Sequence, residues 1–261
     1  MNFDTEGFTG ESGAAIRKQH PENHMQPFPI ANACSQYALQ ISQLLPDSES
    51  KTGLASRLFF ARSISHFQAA ICLAEGGMTI ESMVICRSLI ETFFVLNALA
   101  EGVVTPAELA SQDGASRRSH ANALLNRKST YPGIAPYEDT LRKFIEENAG
   151  AIDIKIFALA QKGNTLAAYD GLYRHLSHHA AHPSLSAVDP YLIESSEKQV
   201  HAQFRPALEY TPKAVLSACI GILMSCFACE KLGVINSKTS EVGSKLWEEY
   251  LTIDEAHNLW G

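Results

Sequence analysis

The hydrophobic positions of this chain recur at helical spacing almost from end to end. Leu54, Leu58, Ala61, Ile64 and Phe67 follow the i, i+3, i+4 rhythm of a core-facing stripe, predicting a helix from about Gly53 to Ala74. Gly76-Gly77 stops it, and Thr79 is placed to cap a third helix, Ile80 to about Glu101, after a first one from Ile30 to Leu45 closed by Pro46 and Asp47-Ser48. The third helix is apolar on nearly every side (Met83, Ile85, Leu89, Phe93, Leu96), as is a late one opened by Pro212 and running to Leu232. Such helices belong at the centre of a bundle. Pro106 starts a fourth helix to about Asn126, and shorter ones follow over Tyr137–Asn148 and Ile154–Ala160. A helix from Thr165 to Ala181 ends where Pro183 forces the preceding residue out of the α region.

The remaining stretches break this rhythm. Met1 to Pro29 mixes glycines and prolines with polar residues and reads as a flexible or loosely docked leader. Pro183 to Glu209 is irregular, with Val188, Tyr191, Leu192 and Ile193 fit for a loop or short strand, and Ser237–His257 reads as a polar terminal helix. No strand ladder is evident. The expectation is an all-α helical bundle: leader 1–29, then one domain over 30–261 with its core at about 53–232.

Composition narrows the classes. A hydrophobic content of 46% suits a packed core, and a net charge of −7 lacks the global basic footprint of a nucleic-acid binder. The first residues show no signal-peptide pattern and six cysteines form no dense framework, so the expected location is cytoplasmic, with Cys226, Cys229 and Cys219 as core thiols. A membrane span is not expected of the third helix, because Arg87 and Glu91 lie inside it.

The candidate chemistry concentrates in Tyr173-Arg174-His175-Leu176-Ser177-His178-His179, followed by His182-Pro183-Ser184. At about 100° per residue, Arg174, His175, His178, His179 and His182 share one arc of roughly 140°, with Tyr173 and Ser177 almost opposite. Arg87 and Glu91, four apart in an apolar helix, need each other or charges from elsewhere, and the arginine–histidine helix is the expected partner. His175 with His179, and His178 with His182, also have the i, i+4 spacing of metal ligands, with Glu91 or Glu81 as further donors. Neither a metal nor a cofactor is assigned, and a metal-dependent hydrolase stays an alternative. The basic residues Arg117, Arg118, Arg127 and Lys128 are where phosphate contacts would first be sought.

Two resemblances bear on these residues. Cys86-Arg87-Ser88-Leu89-Ile90-Glu91, taken with Tyr173-Arg174-His175-Leu176-Ser177 and His182-Pro183-Ser184, resembles a bacterial family of uncharacterised helical proteins with R-S-L-x-E and Y-R-x-L-S…H-P-S signatures. The resemblance runs from about Leu54 to Leu232. It implies no established activity and nominates Arg87, Glu91, Tyr173, Arg174, Ser177 and His182. Arg174-His175 with His179 also resembles the Arg-x4-6-His motif of the HEPN superfamily, all-α domains many of which are metal-independent ribonucleases of toxin and defence systems. That resemblance implies Arg174 and His179 as the catalytic pair, brought together with a second copy's in a homodimer, and it implies RNA as substrate, with an antitoxin or defence protein as a further partner. Beside it stands a non-catalytic scaffold or ligand-binding protein in which the Arg/Glu/His network is structural.

Overall fold

The computed structural model describes residues 3–23, 27–45, 49–194, 199–233 and 236–257. Its helices are α1 (Glu11–Asn23), α2 (Pro27–Leu44), α3 (Lys51–Glu75), α4 (Thr79–Ala100), α5 (Pro106–Asn126), α6 (Glu138–Glu147), α7 (Ile156–Lys162), α8 (166–181), α9 (Thr211–Glu230) and α10 (Ser237–His257). The all-α class holds. The one departure among the described residues is a hairpin of β1 (Leu192–Glu194) with β2 (Val200–Ala202), antiparallel and paired at Ile193 and His201, where no ladder was expected.

At the centre, α3 and α4 form an antiparallel pair joined at Gly76-Gly77, and α9 packs across both. Gly77 sits at φ +77°, and a Cβ there would stand 3.0 Å from Pro206 and Leu208, so the turn needs glycine twice over. Gly221 lets α9 close on α4, since a Cβ there would stand 2.7 Å from Leu89 Cδ2. Leu89, Ile90, Phe94, Leu216, Ile222 and Leu223 are fully enclosed between these helices. By length and composition, Thr79–Ala100 and Leu208–Glu230 could each cross a membrane, but here both line the bundle interior. The cysteines of α9 are buried there with free thiols, whose ionisation burial pushes far up.

Two local expectations are corrected. Thr79 does not cap α4: it is the first helical residue, fully buried, and its hydroxyl donates to the Ala207 carbonyl at 2.7 Å. The leader is helical over Glu11–Asn23 and docked through His20, only 3% exposed. The Thr211 hydroxyl spends its one hydrogen on the Leu208 carbonyl at 2.6 Å. His20 Nε2–H must therefore donate to Thr211 Oγ1, 2.8 Å away. Phe28 lies edge-on to the His20 ring at 5.8 Å, and Phe3, Phe8 and Phe204 form a small aromatic cluster that ties the leader to the later chain. Tertiary contacts of this kind override a weak local preference. The expected stop at Pro46 and Asp47-Ser48 lies outside the described residues.

The helices α5 and α6 form an arm that packs mainly on itself. Thr105 and Glu108 start it with a reciprocal capping box. Residues 106–147 carry six basic side chains (Arg117, Arg118, Arg127, Lys128, Arg142, Lys143) and six acidic ones (Glu108, Asp113, Glu138, Asp139, Glu146, Glu147), so the stretch is charge-balanced.

Candidate functional site

The apolar stripe of α8 decides what each of its polar residues meets. Leu172 and Leu176 point into the core. Tyr173 and Ser177 border that stripe on one edge, His175 and His179 on the other, and Arg174 lies on the far side in solvent. Two π turns widen the helix: Arg174 N–H bonds the Tyr169 carbonyl and His182 N–H the Ser177 carbonyl, each five residues back. Such turns often mark functional segments.

On the first edge, α8 meets Arg87 and Glu91 of α4. Arg87 Nε donates to Ser177 Oγ at 2.9 Å and Nη2 to the Tyr173 hydroxyl at 3.0 Å. Tyr173 in turn donates to Glu91 Oε1 at 2.9 Å, and Arg87 Nη2 pairs with that same oxygen at 3.0 Å. The guanidinium carbon lies 5.2 Å from the Tyr173 ring centroid, within cation–π range. Burial, then the Glu91 carboxylate, raise the Tyr173 pKa. From α3, His66 joins at the margin, its Nδ1 3.5 Å from Thr92 Oγ1. Its pKa is lowered by burial and by Arg62, against the Ser88 carbonyl and Glu91.

The second edge carries imidazoles and a cation. The His175 and His179 rings lie 4.3 Å apart at 30°, with His178 edge-on to His179 at 4.8 Å. Burial drives the His175 pKa down to about 4, helped by the Lys213 ammonium and by His179. The His179 pKa falls for the same main reason, with His178 and Lys213 adding and Asp189 opposing. Lys213, in the first turn of α9, is itself pushed down by burial. A small cavity of about 100 Å³ opens here, lined by His179, Ser186, Asp189, Lys213 and Tyr210 among others.

This layout corrects the sequence-derived site in two places, Arg174 and His182. Arg174 does not meet Arg87 or Glu91; it is exposed and pairs with Asp170 at 3.5 Å. His182 is exposed at the helix end, its backbone already extended before Pro183, and takes no part in the Arg87 network. Arg117 and Arg118 are engaged within the arm: Arg117 pairs with Asp113 at 2.9 Å, and Arg118 donates to the carbonyls of Asn148, Ala149 and Ala151. His178 is exposed, its Nε2 3.4 Å from Ser186 Oγ and its carbonyl accepting from Ser184. Glu81 accepts from the Tyr191 hydroxyl at 3.0 Å. Among the described residues, no three His, Cys, Asp or Glu side chains are grouped to hold a metal ion.

Arg62, His66, Asp189 and Lys213 escaped the sequence reading. Each comes from another element, and nothing near it in the chain marks it.

Fold and site together define an all-helical protein whose long eighth helix joins a closed Arg–Glu–Tyr–Ser network to a His–Lys pocket. The chain belongs to a family of unknown function (DUF5677), matched over residues 54–199, more than half its length and inclusive of both signature segments. No curated protein and no solved structure matches it.

Proposed function

We propose that the chain is a HEPN-like, metal-independent endoribonuclease, cytoplasmic and homodimeric, in which His179 is the general base. The supporting observation is the state of His179 itself. It is half-buried beside Lys213 at a small cavity, and burial with the neighbouring His178 and Lys213 lowers its pKa, which favours the neutral imidazole. A neutral imidazole can take the proton of a ribose 2′-hydroxyl, and an adjacent ammonium offers a charge to the phosphate. Arg174, exposed on the same helix and held only by a surface pair with Asp170, is free to turn to the developing negative charge, alone or with a second copy's motif.

Arg87 and Glu91 have no catalytic part in this reading. Their polar atoms face Tyr173 and Ser177, and that closed set of hydrogen bonds supports a structural role.

The test is cleavage of a mixed-sequence RNA panel by wild-type protein in excess EDTA. Products with 2′,3′-cyclic phosphate or 3′-phosphate ends are expected, lost in both His179→Ala and Arg174→Ala with each variant's unfolding midpoint near the wild type's. Inert wild-type protein, or cleavage that survives His179→Ala, overturns the reading.

A further inference from the structure

A second opening at α8 lies apart from the small cavity at His179. A cleft of about 550 Å³ runs between α4, α8 and α9, walled by Phe93, Leu172, His175, Ile220 and Met224 and bordered by the exposed Gly171. Its volume falls within the roughly 300–1,000 Å³ typical of small-molecule sites. Most of α9 is fully buried, yet Ile220 and Met224, one turn apart, stay half-buried because they face this cleft. Among the described residues its lining holds no Asp, Glu, Lys or Arg, and its polar side chains are those of Thr165 and His175.

We propose that this cleft binds a small, uncharged, largely apolar molecule carrying one hydrogen-bonding group, with the His175 ring and the Thr165 hydroxyl as its polar contacts. The lining fixes that chemistry. A charged ligand would shed its hydration with no counter-charge to receive it, which is costly in an apolar site. His175, with a pKa near 4, presents a neutral ring there at ordinary pH. An apolar ligand, by contrast, gains from removing the Phe93, Ile220 and Met224 surfaces from water. The same imidazole stacks on His179 at 4.3 Å, so an occupant touching His175 also fixes the neighbour of the proposed general base. That last consequence rests on the ribonuclease reading; binding does not.

The experiment uses the whole chain and N-phenyl-1-naphthylamine, a neutral aromatic probe whose fluorescence rises on leaving water. Saturable binding at one probe per chain is expected. In protein labelled at the methionine methyl groups, the Met224 resonance shifts on saturation through the ring current of the probe, while Met78 stays in place. Gly171→Leu is expected to weaken binding at least tenfold. A Cβ at Gly171 meets nothing within 4 Å, so the variant has room to fold, and the added side chain stands at the cleft border. Leu58→Ser, in the separate exposed groove between α2 and α3, leaves binding unchanged. Non-saturable fluorescence, a Met224 methyl that does not move, or binding lost in Leu58→Ser and kept in Gly171→Leu overturns the proposal. The Met224 signal is read in wild-type protein, so the answer does not hang on the folding of any variant.

Discussion

The two edges of α8 use similar residue types to opposite ends. On one, Arg87, Glu91, Tyr173 and Ser177 neutralise and hydrogen-bond one another in a closed set. On the other, three imidazoles and an ammonium gather beside a cavity, with Asp189 as the carboxylate that acts on His179, and burial and mutual repulsion depress the His175 and His179 pKa values. A polar cluster that has satisfied itself is a brace. One whose groups are held in their less solvated protonation states has free energy left for a ligand or a reaction. Proximity to the signature motif does not separate the two cases, because Arg174 sits between Tyr173 and His175 and belongs to neither edge.

The comparison breaks most visibly at Arg87. Arg87→Ala leaves Glu91, Tyr173 and Ser177 without their common donor and is expected to cost about 3 kcal/mol, the low end for breaking a pair that keeps some exposure. Urea unfolding would show it, and a loss below about 0.5 kcal/mol would mean the network is no brace. Tyr173→Phe removes only the bridging hydroxyl and should cost about 1 kcal/mol, with non-additivity when combined with Arg87→Ala because the two share partners.

A pH experiment sharpens the second edge. The folded pKa of His175 is near 4, against the ordinary imidazole value of 6.5. The unfolded chain therefore binds more protons between those values. Stability from this group is fully present above pH 6.5 and is lost as the pH falls towards 4. The melting temperature should drop over that window, and less steeply in His175→Gln. An equal slope in both proteins would remove His175 from the account. The smallest stability effect is expected at Arg174→Ala, within about 0.5 kcal/mol, since a solvent-exposed pair at a helix surface contributes little. RNA cleavage, by contrast, should be lost in the same variant.

Much of this was legible in the chain. Gly76-Gly77 between α3 and α4, Pro106 and Pro212 at the starts of α5 and α9, and Pro183 at the end of α8 mark helix boundaries, and the all-round apolar character of α4 and α9 places them at the centre. The pairing of Arg87 with Glu91 follows from their spacing. Their further partners are not Arg174, which the polar arc of α8 suggests, but Tyr173 and Ser177. The Leu172/Leu176 stripe, which sets the orientation of the helix, puts Arg174 outward and Tyr173 and Ser177 beside α4. The helix in the leader stayed hidden, since its glycines and Pro21 argue for irregular chain and long-range contacts such as the docking of His20 on Thr211 hold it. Lys213 and Asp189 had no local signal at all: their meaning arises when α9 and the turn after Val188 come together around His179.

Histidine titration by NMR tests the division of α8 most directly, with His179 followed in wild type, Lys213→Met and Arg87→Ala. The wild-type His179 pKa is expected below the ordinary imidazole value, rising in Lys213→Met and unchanged in Arg87→Ala. An ordinary His179 pKa, or one that answers to Arg87 and ignores Lys213, would contradict that division.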